Sequence, residues 1–535
     1  MPLSHKRLGK TPMGGSLRSL MQLAEQSNQL DQQRGTSDPT ESIEELLSRR
    51  QMLRLAGAGA AVAASTTALG KVAGMGWAEF PAERAGRVAI VGAGIAGLNA
   101  AYHLKRNGVR ADIYEGQSRI GGRIYTAYDV MGKGLTTEWG AEFIDSDNWE
   151  MRKLAKMFDL PLIDVFVKSE LKLADSYYFG GKMRRDKEIL AAYKPIAKRI
   201  ATDNKDLVWN SWKDCNALAK KLDNKSITQY LHELGVEGWL FDLLNVCYET
   251  ENGTSCDKQS SMNLIGEIGT TIIGGFQVFG ESDQRFKVKG GNHKVPEALG
   301  QRLSNQIHLG MELVRIGKNS AGEYELTFNT KGGGSKVVKA DHVIIAIPFS
   351  ILREVQIDVP LPAKKKEAIE KLNYGTNAKL ALGFKRRYWR DLGSVGLFFT
   401  DLPFQSGWDS GQLQKPEYSS LTLFFGGPPG VEQAKTDIQS RVKTYLPQVD
   451  MMFPGAMKEF NGKMTQFNWP HFKWTKGSYS SYAVGQATSF GGEEIAPVGQ
   501  LYFAGEHCLS QNQGFMEGGA ETGLKSAQML LKALR

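Results

Sequence analysis

Three glycines and one carboxylate are spaced as in sites that bind a dinucleotide. Gly92, Gly94 and Gly97 follow the apolar segment 88–91 and lead into a helical pattern. Glycines at this spacing allow a tight turn and let a pyrophosphate approach the backbone at the N-terminus of the helix. Glu115 ends a second apolar strand, at a place where a carboxylate accepts hydrogen bonds from ribose hydroxyls. A strand, a turn, a helix and an acidic residue in this order predict a dinucleotide site.

Two arginines flank a glycine pair directly after this unit. The segment reads Arg119-Ile120-Gly121-Gly122-Arg123. It resembles the RxGGR motif of the flavin amine oxidase family, which includes monoamine, polyamine and L-amino-acid oxidases. In that family the glycine pair lies against the FAD pyrophosphate and the arginines neutralise its charge. The resemblance therefore implies FAD rather than NAD.

Later segments follow the order of motifs in the same family. The resemblance covers about residues 86 to 535 and is weakest between about 150 and 280. It implies that the backbone of Val314 meets the adenine. It also implies that Lys379, which precedes an aromatic-Trp pair, holds a water near flavin N5 for the reaction with oxygen.

Aromatic residues near the C-terminus resemble the substrate cage of the family. Trp469, Trp474 and Tyr479 are spaced by five residues, and the segment 514–518 reads G-F-M-E-G, similar to the family's G-aromatic-x-E-G signature. The resemblance implies that Tyr479 and Phe515 form two walls in front of the flavin. It places Trp469 among the residues that bind the cofactor.

Three further residues are expected at the flavin. Glu506 ends a segment similar to the family's FAG[DE] signature, which implies a hydrogen bond to the ribityl–phosphate region. The N-terminus of the closing helix, near Met516, is expected to face the N1–C2 edge of the ring and to stabilise negative charge there. Ser478 stands where covalent monoamine oxidases carry the flavin on a cysteine. Since serine makes no thioether, we predict non-covalent FAD.

The resemblance implies an oxidase that removes a hydride equivalent from the carbon beside an amine nitrogen and reduces dioxygen to peroxide. L-Amino-acid oxidases of the family often carry a G-x-M-R segment whose arginine binds the substrate carboxylate, and we place Glu142 at that arginine. A carboxylate there would repel an amino acid's carboxylate and attract a distal ammonium. An amine is therefore the leading substrate.

Two alternatives stay open. An arginine from the region 150–280 could bind a carboxylate, which keeps an L-amino-acid oxidase, including one for basic amino acids, as the alternative function. A flavoprotein desaturase or isomerase would share the FAD motifs but lack Lys379 and the aromatic cage, and a non-enzymatic flavin-binding module would need none of the later motifs.

These residues require a two-domain α/β flavoprotein to position them. We expect a discontinuous, Rossmann-like FAD-binding domain and a mixed α+β substrate domain, with the site in the cleft between them. Residues 150–280 are expected to be largely helical, for example over 149–158 and 226–244, and residues 355–490 to supply an antiparallel sheet. The FAD-binding segments are expected at 86–150, 285–355 and 490–535, and the substrate-binding segments at 151–284 and 356–489.

Composition excludes several other classes. The net charge is +9, but Lys and Arg are interleaved with Asp and Glu, so the charge does not indicate nucleic-acid binding. The four cysteines form no CxxC pair and the eight histidines no metal-ligand pattern, so no metal is expected. The oligomeric state is left open, with a homodimer as one candidate.

The N-terminal residues read as an address for export. Residues 1–47 are polar and are predicted to be a flexible leader. Within residues 48–80, Arg49 and Arg50 precede an Ala/Gly-rich apolar stretch, which resembles a twin-arginine signal. The stretch is shorter than the ~20 residues needed to span a bilayer, so no integral membrane span is expected. We predict a periplasmic or secreted protein, and a cytoplasmic one if the signal is not functional.

Overall fold

The computed structural model describes residues 86–272, 275–509 and 511–535. The predicted leader at 1–47 and the twin-arginine-type segment at 48–80 lie outside these ranges, so both stay predictions. Among the helices in these ranges, none has the length and apolar character required to cross a membrane.

A parallel sheet of five strands positions the glycine turn. Its first strand in the chain, Val88–Val91, is buried along its whole length and lies at the centre of the sheet. A continuous apolar run is what a strand covered on both faces requires. The order across the sheet is Leu501–Phe503, His342–Ile345, Val88–Val91, Ala111–Glu115, Ile307–Leu309. The expected Rossmann-like architecture is confirmed.

Two helices lie side by side on this sheet. Ile95–Arg106 follows the glycine turn, and Met516–Ala533 closes the chain. A Cβ atom on Gly523 would lie 2.2 Å from the carbonyl oxygen of Ala96, so glycine is required for the two helices to approach this closely. The close approach brings both N-termini to the same place.

A four-stranded sheet carries Val314. Met311–Lys318 pairs with Tyr324–Thr330 on one side and with Gln356–Ile357 on the other, and Ser335–Ala340 completes the sheet. The register with the antiparallel neighbour shifts between Leu313 and Arg315, which leaves Val314 as the extra residue of a β-bulge.

The third sheet has seven strands and differs from the expected one. Residues 356–489 supply five of its strands, and two more come from the region predicted to be largely helical. Ala174–Phe179 joins it in parallel beside Ser394–Thr400, so the sheet is mixed rather than antiparallel. The order is Phe460–Asn468, Ala378–Phe384, Ser419–Phe425, Ser406–Asp409, Ser394–Thr400, Ala174–Phe179, Lys182–Arg184.

Two short strand pairs carry further residues of the site. Thr126–Tyr128 pairs with Thr136–Glu138, and Leu162–Asp164 pairs with Phe286–Val288. The five parallel strands all lie within the segments expected for the FAD domain. The domain limits themselves stay a prediction.

Helices cover much of residues 149–267, as expected. The segment predicted as helical over 226–244 is two helices, because Gly235 adopts φ +72° and ends the first of them. These two helices are Ile227–Glu233 and Gly238–Asn252. The other α-helices besides the two on the parallel sheet are Trp149–Met157, Lys168–Leu171, Asp186–Asp206, Ala217–Asp223, Ser261–Glu267, Lys294–Arg302, Phe349–Leu352, Ala363–Lys371, Gly427–Glu432, Ile438–Met452, Ala456–Glu459 and Gln486–Phe490.

Candidate active site

One cavity of about 330 Å³ runs from the glycine turn to the seven-stranded sheet. Fourteen of the residues predicted for the site line it, and Gly97 and Arg119 do not. Those that line it are Gly92, Gly94, Glu115, Gly121, Gly122, Arg123, Glu142, Val314, Lys379, Trp469, Tyr479, Glu506, Phe515 and Met516.

The glycines of the first turn have two different roles. A Cβ atom on Gly97 would lie 2.0 Å from the carbonyl oxygen of Gly92, so Gly97 allows the helix to pack on the turn. A Cβ atom on Gly94 would meet no atom within 4 Å. Because Gly94 lines the cavity at the start of a helix, this open space is where a pyrophosphate can approach the backbone.

The second glycine pair lies against the first turn. The N–H of Gly121 donates to the carbonyl oxygen of Ala93 at 2.8 Å, and Gly94 and Gly121 form a parallel bridge. Gly121 and Gly122 adopt φ +95° and +56°, a region that favours glycine. The two motifs, separate in the sequence, therefore lie against each other at one wall of the cavity.

Glu115 is buried at the cavity wall and accepts from two backbone N–H groups. Ala93 donates to Oε2 at 2.7 Å and Gln117 to Oε1 at 2.9 Å. Burial raises the pKa of Glu115 above its usual range, although both backbone donors oppose this. Each carboxylate oxygen keeps a second lone pair, with which the side chain can also accept from a ribose hydroxyl.

The two arginines of the second motif have separate environments. Arg123 lines the cavity, and its Nη1 donates to Glu506 Oε1 at 2.6 Å and to the Ser478 carbonyl at 2.8 Å. The Arg119 guanidinium instead lies 3.8 Å from the ring centroid of Tyr125 and donates to the Gly122 carbonyl. The expectation that both arginines face the cofactor therefore holds in geometry for Arg123 only.

Glu506 links three segments that are far apart in the chain. Besides Arg123, its carboxylate accepts from the N–H and hydroxyl of Ser480 and from the N–H of Gly514. Burial alone would raise the pKa of Glu506, but Arg123 and these donors bring it below its usual range. The charged carboxylate thus fixes the backbone on both sides of the aromatic residues Tyr479 and Phe515.

The aromatic residues predicted as a cage line the same cavity. Phe515 is buried, and Tyr479 is half-buried with its hydroxyl 3.4 Å from the carbonyl oxygen of Thr250. Burial raises the pKa of Tyr479 well above its usual range, so the ring stays a neutral phenol. Trp469 Nε1 donates to the Trp139 carbonyl at 2.9 Å, which orients the indole at the cavity.

Lys379 lies at the inner end of the cavity, on the strand Ala378–Phe384. Its Nζ donates to the carbonyl oxygens of Glu138 at 3.0 Å and Gly140 at 2.8 Å, and to Glu142 Oε2 at 3.3 Å. The ammonium also lies 4.9 Å from the ring centroid of Trp408. Burial brings the pKa of Lys379 below its usual range, although the neighbouring carboxylates of Glu142 and Glu138 oppose this.

Glu142 is in the cavity, but its charge is not free for a substrate. Lys287 donates to Oε1 at 2.9 Å while Lys379 binds Oε2, and all three side chains are almost completely buried. Burial opposes ionisation, yet the two lysines bring the pKa of Glu142 below its usual range. We therefore revise the interpretation of Glu142 as an attractor for a distal ammonium.

The position compared with the family's arginine also needs correction. Counted from Gly140, the fourth position of G-x-M-R is Phe143, not Glu142. Phe143 lines the cavity, and the ammonium of Lys287 lies 4.6 Å from its ring centroid. An apolar ring therefore stands where the family's amino-acid oxidases often carry the arginine.

Several residues at or beside the cavity wall were missed from the sequence. Lys287 does not line the cavity but is buried in the short strand Phe286–Val288 beside Glu142, which its position before Lys289-Gly290-Gly291 did not reveal. Asn377 precedes Lys379 by two residues and accepts from the Ser478 hydroxyl at 2.6 Å. Trp408 and Phe424 belong to fully buried strands, where an aromatic residue of a cavity looks like an aromatic residue of the core.

The donor set fits a dinucleotide cofactor. It combines an open glycine turn, two helix N-termini, a buried carboxylate for a ribose and one arginine at the wall. In the described part of the chain, no group of three or more His, Cys, Asp or Glu side chains could hold a metal ion. The fold and the cavity together define a protein of the two-domain α/β class with a cavity that can hold a dinucleotide.

Comparison with known proteins identifies the family. A profile of the family described as "Flavin containing amine oxidoreductase" matches residues 95–531. The chain belongs to this family and carries a flavin. It acts as an oxidoreductase on amine donors.

Similar proteins include both amino-acid and amine oxidases. The L-amino-acid oxidase of Bothrops atrox is 24% identical over 471 residues, which cover 84% of this chain and 89% of that protein. The L-amino-acid oxidase of Demansia vestigiata is 25% identical over 482 residues, covering 84% and 87%.

Among solved structures, putrescine oxidase bound to putrescine matches with a TM-score of 0.70, 19% identity and coverage of 84% of this chain and 99% of that one. Cyclohexylamine oxidase from Brevibacterium oxydans IH-35A matches with a TM-score of 0.71, 21% identity and the same coverage. At this identity the solved structures establish the fold.

Proposed function

We propose that the chain is an FAD-dependent oxidase of amines that carry no carboxylate beside the amino group. The observation that supports this is the state of the cations at the cavity wall. Four lysine or arginine side chains line the cavity, and each is paired with a carboxylate: Arg123 with Glu506, Lys379 with Glu142, Lys473 with Glu312 and Lys476 with Glu354. Among the described residues, the cavity wall therefore offers no ammonium or guanidinium without a carboxylate contact to bind the carboxylate of an amino acid.

The chemistry divides between cofactor and protein. When bound against the glycine turns, Arg123 and Glu115, a flavin would supply the acceptor for a hydride equivalent from the amine α-carbon and the route for two electrons to dioxygen, so that amine and dioxygen give imine and hydrogen peroxide. The side chains of Tyr479 and Phe515 orient the neutral amine so that its C–H bond faces the ring at near-attack distance. Released imine hydrolyses to a carbonyl compound and ammonia or an amine.

An L-amino-acid oxidase is the second candidate. The observation that favours it is the similarity to the L-amino-acid oxidases of Bothrops atrox and Demansia vestigiata along 84% of the chain. The two candidates differ in whether the substrate carries a carboxylate. Burying a carboxylate without a free cation costs several kcal/mol, so the pairing of the cations at the cavity wall favours the amine.

The test is peroxide release from the purified, FAD-loaded protein with matched substrate pairs. Each pair joins an L-amino acid to the amine with the same side chain: phenylalanine with phenethylamine, tyrosine with tyramine, and lysine with cadaverine. We expect kcat/KM for at least one amine to exceed that of its amino acid about 100-fold or more. Turnover of L-amino acids ahead of their amines would refute the amine assignment and favour the second candidate.

We also propose that the FAD is held without a covalent bond. Ser478 lines the cavity, and its hydroxyl is engaged with Asn377 at 2.6 Å. A serine hydroxyl there forms no thioether, and non-covalent contacts of Arg123, Glu115 and the glycine turns are available to hold the dinucleotide. We expect acid precipitation to release the flavin into the supernatant as intact FAD, identified by chromatography. Flavin that stays with the precipitated protein would contradict this, and FMN would contradict the identity of the cofactor.

A further inference from the structure

A buried cluster of two lysines and one carboxylate lies at the inner end of the cavity. Glu142 accepts from Lys287 at 2.9 Å through one oxygen and from Lys379 at 3.3 Å through the other. The exposed fractions of the side chains are 3% for Glu142, 7% for Lys287 and 9% for Lys379. Water therefore screens these charges little, and the net charge of the cluster acts on a molecule bound in the cavity.

Lys379 has no N–H left for a solvent molecule when it is an ammonium. An ammonium has three N–H donors. In this chain the acceptors are the carbonyl oxygens of Glu138 and Gly140 and the carboxylate of Glu142. The resemblance implied a lysine that holds a water, whereas the geometry describes a lysine whose charge is fixed in place.

The charges in the cluster do not cancel. Glu142 offsets one lysine, and the other leaves one positive charge in excess as long as Glu138 is protonated. The further ionisable groups that face the cluster are Glu138 and Asp409. The carboxylate of Asp409 is paired with Arg387 at 3.3 Å. The carboxyl of Glu138 is bound by Thr126 and the Asn292 N–H, and burial raises its pKa to about 7.

We propose that Glu142 and Lys287 are positioning residues that hold the Lys379 ammonium at the cavity wall. The positive charge of Lys287 offsets the negative charge of Glu142, so that the positive charge of Lys379 remains. This rests on the proposed flavin site, not on the choice of substrate. Two electrons and two protons convert dioxygen to hydrogen peroxide, and negative charge develops on dioxygen as the electrons arrive. An excess positive charge at the wall stabilises that charge and the reduced flavin. It also favours the neutral form of a bound amine, which is the form that reacts.

The test compares holoenzyme variants that change the charge of the cluster by one unit. Lys287→Met removes the excess charge. We expect reoxidation of the enzyme by oxygen to slow about tenfold, the size of effect expected from one charge in a partly buried site. We expect the two-electron midpoint potential of the flavin to fall by about 30 mV, because for a two-electron couple this shift corresponds to a tenfold change in the equilibrium constant for reduction.

Glu142→Gln should act in the opposite direction at pH 6. Two unpaired lysines then lie close together, so one of them loses its proton more easily, and we expect the slope of the potential against pH to differ from that of wild type. The double variant Lys287→Met/Glu142→Gln keeps Lys379 as the one excess charge. We expect it to return to within about twofold of wild type in both measurements.

The reduced enzyme is prepared with dithionite, so no amine is needed and failure of the substrate assignment does not affect the result. Lys289→Met is the control, because Lys289 is exposed and lies two residues beyond Lys287. A double variant that is worse than either single one would assign the cluster a purely structural role and overturn the proposal. So would a potential that Lys287→Met leaves unchanged.

Discussion

Gly94→Ala is expected to leave a folded apoprotein whose affinity for FAD is about 100-fold lower, whereas Gly97→Ala is expected to destabilise the apoprotein itself. Gly94 has φ −72° and ψ 177°, which alanine adopts without strain, and its added Cβ would meet no protein atom within 4 Å. That Cβ instead enters the space beside the helix N-terminus where the pyrophosphate approaches. Crowding of this kind costs typically about 1–3 kcal/mol.

Gly97 lies in a different environment three residues later. Its Cβ would lie 2.0 Å from the Gly92 carbonyl oxygen, so the helix or the turn has to move, and we expect the free energy of unfolding to fall by about 3 kcal/mol. Thermal unfolding of the apoprotein and FAD titration monitored by fluorescence separate the two effects. Gly332→Ala is the matched control, since Gly332 also has open space around it but lies in a loop away from the cavity. Wild-type FAD affinity in Gly94→Ala would show that the pyrophosphate does not bind at this turn.

Arg123→Met is expected to be the most damaging single change among the charged residues of the cavity. It leaves the buried carboxylate of Glu506 without its cation and removes the donor that holds the Ser478 carbonyl. Breaking a buried ion pair by removing one partner costs about 3–5 kcal/mol. We expect a lower melting temperature and purified protein that contains less than a tenth of the wild-type flavin.

Two further variants test the origin of that loss. In Arg123→Met/Glu506→Gln no unpaired charge remains, so most of the melting temperature should return while the flavin content stays low. Arg119→Met is the control, because the Arg119 guanidinium lies on the Tyr125 ring and does not line the cavity. Equal loss of flavin in the Arg119 and Arg123 variants would show that both arginines serve the cofactor, as the sequence motif suggested.

Local patterns in the sequence predicted the cofactor half of the molecule well. The strand Val88–Val91, the glycine turn, the helix after it and the strand ending at Glu115 lie where the motif places them. This worked because each glycine has a requirement that depends on its immediate neighbours. The bulge at Val314 has no such local signal, because it depends on the register with Tyr324–Thr330.

The substrate half was predicted less well, and for identifiable reasons. The strands Ala174–Phe179 and Lys182–Arg184 lie in a region predicted to be largely helical. A hairpin signal was present in the aromatic run before Gly180 and Gly181, two glycines with positive φ. The cluster of Lys287, Glu142 and Lys379 could not be read from spacing, because its members come from three segments that meet only in the folded chain.

The strand order of the parallel sheet sets when the protein can acquire its cofactor. Val88–Val91 lies at the centre of that sheet, yet one edge strand is Leu501–Phe503, near the other end of the chain. Glu506 and the helix from Met516 follow that strand directly. While the ribosome is still making the chain, the glycine turn exists without the carboxylate and the helix that complete its cavity. Capture of the flavin therefore has to wait until residues 501–533 have been made, and a chain that stops before residue 501 keeps the glycine motif but lacks Glu506 and the closing helix that complete the cavity.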